Sequence, residues 1–325
     1  MQDLRSESPA AGTGALPHVL VLGTGGTIAG VAPAANTATG AGYTAGVLGV
    51  EQLLVSAPGV HQHAHLEFTQ LCNIDSKDAR PALWLELARA VRAWRARTGT
   101  AGCVITHGSD TLEETAYALD CLLPPGAPVV LTGAMRPASA LSVDGPRNLY
   151  DAVQVAVDAG AAGRGVLCAL HGRVHGAVDV SKRHPACLDA FDSGERGPLG
   201  FVGLRGVRFT RDVPRAHAAV FTPPPALWPR VELVASHAGA DGAVVRALLA
   251  ATLDGSLQPG LRGLVVEGTG LGTVHQALQQ ALDEAQAQGV RVVLASRAGA
   301  VPDGPYEGLN PPKVRVRLML ELAGC

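Results

Sequence analysis

Apolar residues recur along this chain with two alternating periods. Short runs rich in β-branched residues predict strands: HVLVLG (18–23), LEFTQLC (66–72), GCVITHG (102–108), PVVLTGAM (128–135) and GVLCALHG (165–172). Between them the apolar positions fall at helical spacing. PALWLELARAVRAWRAR (81–97) sets Leu83, Leu87, Val91 and Trp94 on one face with arginines opposite. TLEETAYALDCLL (111–123) and GPRNLYDAVQVAVDAG (145–160) read the same way. Strand and helix in alternation predict an α/β fold with a mostly parallel sheet flanked by helices.

The alternation breaks near residue 210. TRDVPRAHAAVFTPPPALWPR (210–230) holds five prolines and no period, which predicts a linker over 207–230. It then resumes. VELVAS, GLVVEG and RVVLAS predict strands; GAVVRALLAATLDG, TVHQALQQALDEAQAQG and KVRVRLMLELA predict helices. The expected organisation is therefore a tail over 1–17, a larger N-terminal α/β domain over 18–206, the linker, and a smaller C-terminal parallel-sheet α/β domain over 231–325.

Composition narrows the class. With 47% hydrophobic and 17% charged residues, the 325-residue chain can bury large cores and is not disordered as a whole. A formal net charge of -2 gives no basic footprint for nucleic acid. No apolar stretch is long enough to span a membrane. The start, MQDLRSESPAAGTGALP, lacks the apolar core of a signal peptide, so a disordered tail and a cytoplasmic protein are expected. Six cysteines show no C-x-x-C spacing, and no metal or other cofactor is expected. Cys103 and Cys168 lie in apolar runs and read as buried small hydrophobes. HQHAH (61–65) alternates like one solvated strand face, with a metal site as the sharper alternative.

The first strand ends in GTGGTIAG (23–30). A dinucleotide fingerprint would need glycine where Ile28 stands, and a P-loop would need a following Gly-Lys-Ser/Thr; neither is present. The remaining reading is that glycines bring backbone close to a small ligand while a threonine hydroxyl faces it.

Open α/β sheets bind ligands at the carboxyl ends of their strands. Four polar segments fall at such ends: Thr24 and Thr27, NIDSKD (73–78), THGSDT (106–111) and GAMRPASALSVDGPRN (133–148). For the third, a bland reading exists: Asp110 or Thr111 caps the next helix, with Glu113 or Glu114 completing a capping box. It leaves His107, Ser109 and Asp110 crowded in one turn without a reason. A hydroxyl nucleophile needs a base. Tyr43 and Lys182 are candidates, although a surface lysine is the simpler reading of Lys182.

Residues 18–30, 43–51, 73–78, 103–120, 128–150 and 177–182 together resemble the bacterial L-asparaginase family, the threonine-dependent amidohydrolases. GTGGTIAG is similar to its first signature, ITHGSDTLEETAYALD to its second, and GAMRP with SVDGPRNLYDAV to the segment that follows. The resemblance implies Thr27 as the nucleophile that forms an acyl-enzyme and Tyr43 as the loop tyrosine that helps activate it. Ser109, Asp110 and Lys182 correspond to a second hydroxyl–acid–base group. Ser76 and Asp110 correspond to residues that hold the substrate's α-carboxylate and α-ammonium, and Ala134 to a backbone contact with its amide. It further implies a homo-oligomer, a dimer of dimers, with sites at subunit interfaces and L-asparagine as the small-molecule substrate.

Three departures bear on recognition. Ser109 stands where the family has a second threonine, Lys77 where many members have glutamine, and Leu271, in EGTGLGTV, where many have an asparagine that reaches a neighbour's substrate. Lys77 is thus a candidate at the substrate head group unless Asp75 or Asp78 pairs with it. Two other readings share the scaffold: the glutaminase-like subunit of a transfer-RNA amidotransferase, which carries an additional N-terminal domain not expected here, and a non-catalytic amino-acid-binding regulator.

Overall fold

The protein is described from a computed structural model that covers residues 15–38, 41–213, 221, 227–299 and 304–324. Its first strand, β1 (His18–Gly25), is buried along nearly its whole length, as a central parallel strand must be. It pairs in parallel with β2 (His65–Ile74) and β3 (Thr100–Thr106). The ladder continues in parallel through β4 (Val129–Thr132) to β5 (Val166–Leu170). The parallel part therefore runs β2-β1-β3-β4-β5. In this order the chain leaves β1 in one direction and later passes to its other side. A crevice opens where the order reverses, between the carboxyl ends of β1 and β3.

Side-chain alternation divides the core. Leu20, Leu22, Cys103, Ile105 and Leu131 point to one face, with Leu87 of α2 (Pro81–Arg95) and Leu119 of α3 (Leu112–Leu122). Val19, Val21, Val104 and Val130 point to the other, with Leu53 of α1 (Val50–Ser56) and Leu149 of α4 (Gly145–Val157). The predicted apolar face of α2 is confirmed: Leu83, Leu87, Val91 and Trp94 are all buried. Each such side chain contributes about 1.5–3 kcal/mol relative to exposure.

The sheet extends further than the sequence pattern indicates. β5 turns into β6 (Arg173–Gly176) through His171 and Gly172, both at positive φ (49° and 72°), the conformation of a tight two-residue hairpin. β9 (Gly200–Gly203) and β10 (Gly206–Phe209) complete an eight-stranded sheet by antiparallel pairing. The linker expected from 207 is corrected accordingly, since Val207–Phe209 is ladder. Phe221 and Trp228, from the same stretch, are packed: Phe221 N–H donates to the Cys121 carbonyl at 2.8 Å and Trp228 meets Trp84 edge-on at 5.5 Å. Residues 214–220 and 222–226, the tail over 1–14 and Cys325 lie outside the described residues.

The C-terminal unit has a three-stranded parallel sheet in the order β11 (Arg230–Ala235), β12 (Leu261–Gly268), β13 (Arg291–Ser296). α5 (Ala243–Leu253) and α6 (Gln276–Ala287) cover one face. α7 (Pro311–Leu322) covers the other and packs at the same time on α3, so the two domains share one continuous core.

The HQHAH reading is also corrected. His61 belongs to a 3-10 turn, Val60–Gln62, that His63 closes, and only His65 stands in a strand. His63 Nε2 lies 2.9 Å from the Tyr150 hydroxyl instead of facing its neighbours. Among the described residues no group of three His, Cys, Asp or Glu is arranged to hold a metal, and no helix is long and apolar enough to cross a membrane.

Candidate active site

The four polar segments at the strand ends converge. The loops after β1 and β3 touch backbone to backbone: a Cβ on Gly26 would lie 2.3 Å from Gly108 Cα, and Gly26 holds φ at 79°. Neither condition tolerates another residue. A Cβ on Gly108 would in turn strike Ser76 Oγ at 2.5 Å. The glycines at the mouth of β1 are therefore the points where the loops meet.

The two threonines of that mouth divide their roles. Thr24 is structural; its buried hydroxyl donates to the Thr106 carbonyl at 2.9 Å and ties β1 to β3. Thr27 opens a 3-10 turn, Thr27–Ala29, and faces a cavity of roughly 680 Å³. Its Oγ1 lies 2.8 Å from the Tyr43 hydroxyl. Tyr43 is held there by its own loop. Val31 and Thr44 form a two-bond bridge at 3.0 and 2.9 Å, and the Tyr43 ring lies against Gly30, where a Cβ would approach Cδ2 to 2.7 Å.

On the opposite wall, Lys182 of β7 (Ser181–Lys182) donates to Ser109 Oγ at 2.8 Å and to Asp110 Oδ1 at 2.6 Å. Its side chain is only 14% exposed, so the surface-lysine reading fails. Thr27, Tyr43, Ser109, Asp110 and Lys182 all line the same cavity. The described lining also includes Arg136 and Leu141 from the loop after β4.

The helix-capping reading of this turn is corrected. Thr111 is the residue before α3, but its hydroxyl makes no cap; it donates to the Ser76 carbonyl at 2.8 Å. Asp110 N–H donates to Ser76 Oγ at 3.2 Å. Ser76 is buried beneath the β3 loop and braces it, one layer behind the cavity lining. Ala134 is buried beside the lining residues Met135 and Arg136. Lys77 does not line the cavity. Its ammonium is bound by Asp75 at 2.7 Å and Asp78 at 3.2 Å, and this pairing, Asp75 first, raises its pKa. The head-group role considered for Lys77 is therefore corrected to a surface ion pair. Leu271 is 83% exposed on the turn after β12 and lines no part of this cavity.

Under the β3 loop runs a directed hydrogen-bond chain. Trp84 Nε1–H donates to Thr115 Oγ1 at 3.1 Å, Thr115 Oγ1 lies 3.1 Å from His107 Nε2, and His107 Nδ1 lies 2.8 Å from the Gly108 carbonyl. A carbonyl only accepts, so Nδ1 carries a proton. Burial lowers the His107 pKa and favours the neutral ring, in which Nε2 is bare and accepts from the Thr115 hydroxyl while that oxygen accepts from Trp84. The loop after β4 has its own anchor: Asp144 accepts from the Met135 and Arg136 N–H groups at 2.9 and 3.0 Å. Asn148, buried in α4, donates to Asp144 and to the Gly133 carbonyl at 3.2 and 3.0 Å. Sequence reading missed this pair. The available signal was a polar residue, Asn148, on the apolar face of a helix.

A hydroxyl pair faces a lysine–hydroxyl–carboxylate group across a small-molecule cavity at the switch point of an α/β sheet. Such an arrangement is chemically suited to the hydrolysis of acyl compounds. The chain belongs to the asparaginase family: the description "Asparaginase, N-terminal" matches residues 18–215 and "Glutaminase/Asparaginase C-terminal domain" matches 230–324. L-asparaginase 2 of Escherichia coli is 37% identical over 95% of this chain and 89% of its own length. The "Probable L-asparaginase periplasmic" of Haemophilus influenzae is 37% identical over 94% and 89%. The glutaminase-asparaginase of Pseudomonas fluorescens is 35% identical over 94% and 86%. Among solved structures, the "Probable Cytoplasmic L-asparaginase" of Campylobacter jejuni superposes with a TM-score of 0.86 at 36% identity, covering 95% of this chain and 96% of that one. The protein is thus an amidohydrolase enzyme of the L-asparaginase type. Neither the amidotransferase-subunit reading nor the non-catalytic reading draws support from these relatives.

Proposed function

We propose that this L-asparaginase hydrolyses the side-chain amide of L-asparagine to L-aspartate and ammonia, with Thr27 as nucleophile. Thr27 Oγ1 attacks the amide carbon while its proton passes to the Tyr43 oxygen, and Tyr43 releases its own hydroxyl proton to water in the cavity, so that it stays a neutral phenol. The tetrahedral intermediate expels ammonia after the nitrogen takes up a proton, leaving an ester on Thr27. Water then adds to that ester, and the bond to Thr27 breaks to give the product carboxylate and restore the hydroxyl. The observation that carries the reading is the division of labour across the cavity. Ser109 Oγ accepts from the Lys182 ammonium at 2.8 Å. A hydroxyl oxygen so engaged is a poorer nucleophile and a better proton donor, whereas among the described residues the Thr27 hydroxyl pairs with the Tyr43 hydroxyl, at 2.8 Å. Ser109 is then the donor toward the leaving nitrogen. Asp110 offers its second oxygen to the α-ammonium, and Ser76 braces the loop that presents it.

The substrate is a small molecule, and a homo-oligomer, a dimer of dimers, is the proposed assembly. The exposed Leu271, at the carboxyl end of β12, supports a contact with a neighbour's cavity. A cytoplasmic location is in keeping with five free cysteines among the described residues, three of them buried with thiols pushed up to about 12. The test is direct: purified protein with L-asparagine should release ammonia and aspartate in equal amounts. Tight asparagine binding without ammonia would overturn the reading.

A further inference from the structure

Lys182 stands on a strand of only two residues, paired antiparallel with β8 (Phe191–Asp192). So short a ladder fixes little by itself, yet the Lys182 ammonium meets two acceptors at 2.8 and 2.6 Å. The missing constraint comes from the C-terminal domain. Lys313, in the first turn of α7, is 1% exposed, and its ammonium donates to the carbonyls of Val178 (2.8 Å) and Val180. These carbonyls lie two residues apart on the segment that leads into Lys182. Asn310, which precedes α7, donates through Nδ2 to Ser181 Oγ at 3.2 Å and to Glu113 of α3 at 2.8 Å. Its Oδ1 separately caps the helix by accepting from Lys313 N–H at 3.3 Å. One side chain thus joins the helix that follows the Ser109–Asp110 turn to the strand that carries Lys182.

We infer that Asn310 and Lys313 are positioning residues: the start of α7 clamps the 178–182 segment and holds the Lys182 ammonium in register with Ser109 and Asp110. The clamp rests on the catalytic role proposed above for Lys182. It assigns the C-terminal domain a part in its own chain's site, apart from any contact with a neighbour. A buried lysine suits the task because a single ammonium satisfies two carbonyls that would otherwise be left without donors. Misplacement of a catalytic group by about 1 Å costs on the order of 10²-fold in rate.

Asn310→Ser separates the two jobs of Asn310, since serine still caps α7 but its short side chain has no amide to reach Ser181 and Glu113. Ser181→Ala removes the acceptor of the same bond. In folded Asn310→Ser and in Asn310→Ser with Ser181→Ala, kcat for asparagine should fall roughly ten- to a hundredfold, with KM within about twofold. Lys313→Met should show the same split where it folds; the serine variants decide the matter where it does not. Lys182→Met is run beside them. If Lys182→Met is inactive while both serine variants keep kcat within about twofold of wild type, the clamp is wrong and the catalytic reading stands. If Lys182→Met itself keeps its rate, the reading beneath the clamp fails first.

Discussion

The hydroxyls of Thr27 and Tyr43 stand 2.8 Å apart, on two loops that the sequence separates by fifteen residues between them and that the Val31–Thr44 bridge brings together. Nothing in the packing of the core requires this pair. Thr27→Ala should therefore lower kcat/KM for asparagine by about 10³-fold or more with little change in melting temperature. Tyr43→Phe, which keeps the ring against Gly30 and removes only the proton acceptor, should cost about 10²- to 10⁴-fold. Steady-state kinetics with thermal denaturation checks both, and a Thr27→Ala enzyme at wild-type rate would eliminate the proposed nucleophile.

Lys182 is shielded from solvent and engaged with Ser109 and Asp110. Lys182→Met should cut kcat strongly. Lys182→Arg should not restore it, because the planar guanidinium fork does not fit the place of one ammonium between two acceptors. Recovery of kcat in the arginine variant would show that charge alone is what this position supplies.

Lys77 and Leu271, two departures from the family pattern, now separate. Lys77 is 61% exposed and paired with Asp75 and Asp78, so Lys77→Gln should leave KM for asparagine within about twofold. Leu271 can act only across a subunit contact. Leu271→Asn should lower KM for asparagine and improve the use of glutamine in the assembled protein. Substrate titrations of the single and double variants read this out; a KM moved by Lys77→Gln and not by Leu271→Asn would reverse the assignment.

Assembly is the premise of that result. Light scattering at micromolar protein should show a homo-oligomer, and dilution that produces monomers should reduce the rate per chain. A fully active monomer would contradict it.

Stability should carry a pH signature from Asp120. Burial pushes its carboxyl up from 3.8 to about 6, against the N–H bond it accepts from Val166 at 2.7 Å. The folded state therefore holds the proton more tightly than the unfolded one. This contribution is fully present below pH 3.8 and is lost as the pH rises through about 6. Asp120→Asn keeps the acceptor for Val166 and removes the ionisation. It should be the more stable form at neutral pH, by up to about 3 kcal/mol for the 2.2-unit difference between 6 and 3.8, with the advantage shrinking toward acid. Urea denaturation across that window measures it; a pH-independent difference would mean that Asp120 keeps its charge through another partner.

Much of the architecture was determined by sequence alone, because burial periodicity is a local signal. Leu83, Leu87, Val91 and Trp94 share a helix face in any fold that buries one side of that helix, and β1 through β5 sit where their β-branched runs predict. The motifs at the strand ends likewise marked Thr27, Ser109 and Asp110, and the family resemblance added Tyr43 and Lys182; all five line one cavity. Other features arose only with the tertiary structure. The β5–β6 hairpin depends on positive φ at His171 and Gly172, a conformation that a histidine does not announce. Whether Lys77 faced substrate or acid depended on rotamers beside Asp75 and Asp78. The Thr111 hydroxyl chose the Ser76 carbonyl over its own helix because a loop some thirty-five residues away came within 2.8 Å. Lys313 looked like any lysine opening an amphipathic helix; only the docking of α7 on the first domain buried its ammonium against two distant carbonyls. Local periodicity is written in neighbouring residues, whereas the partner of a polar atom is set by which segments the fold brings within hydrogen-bonding distance.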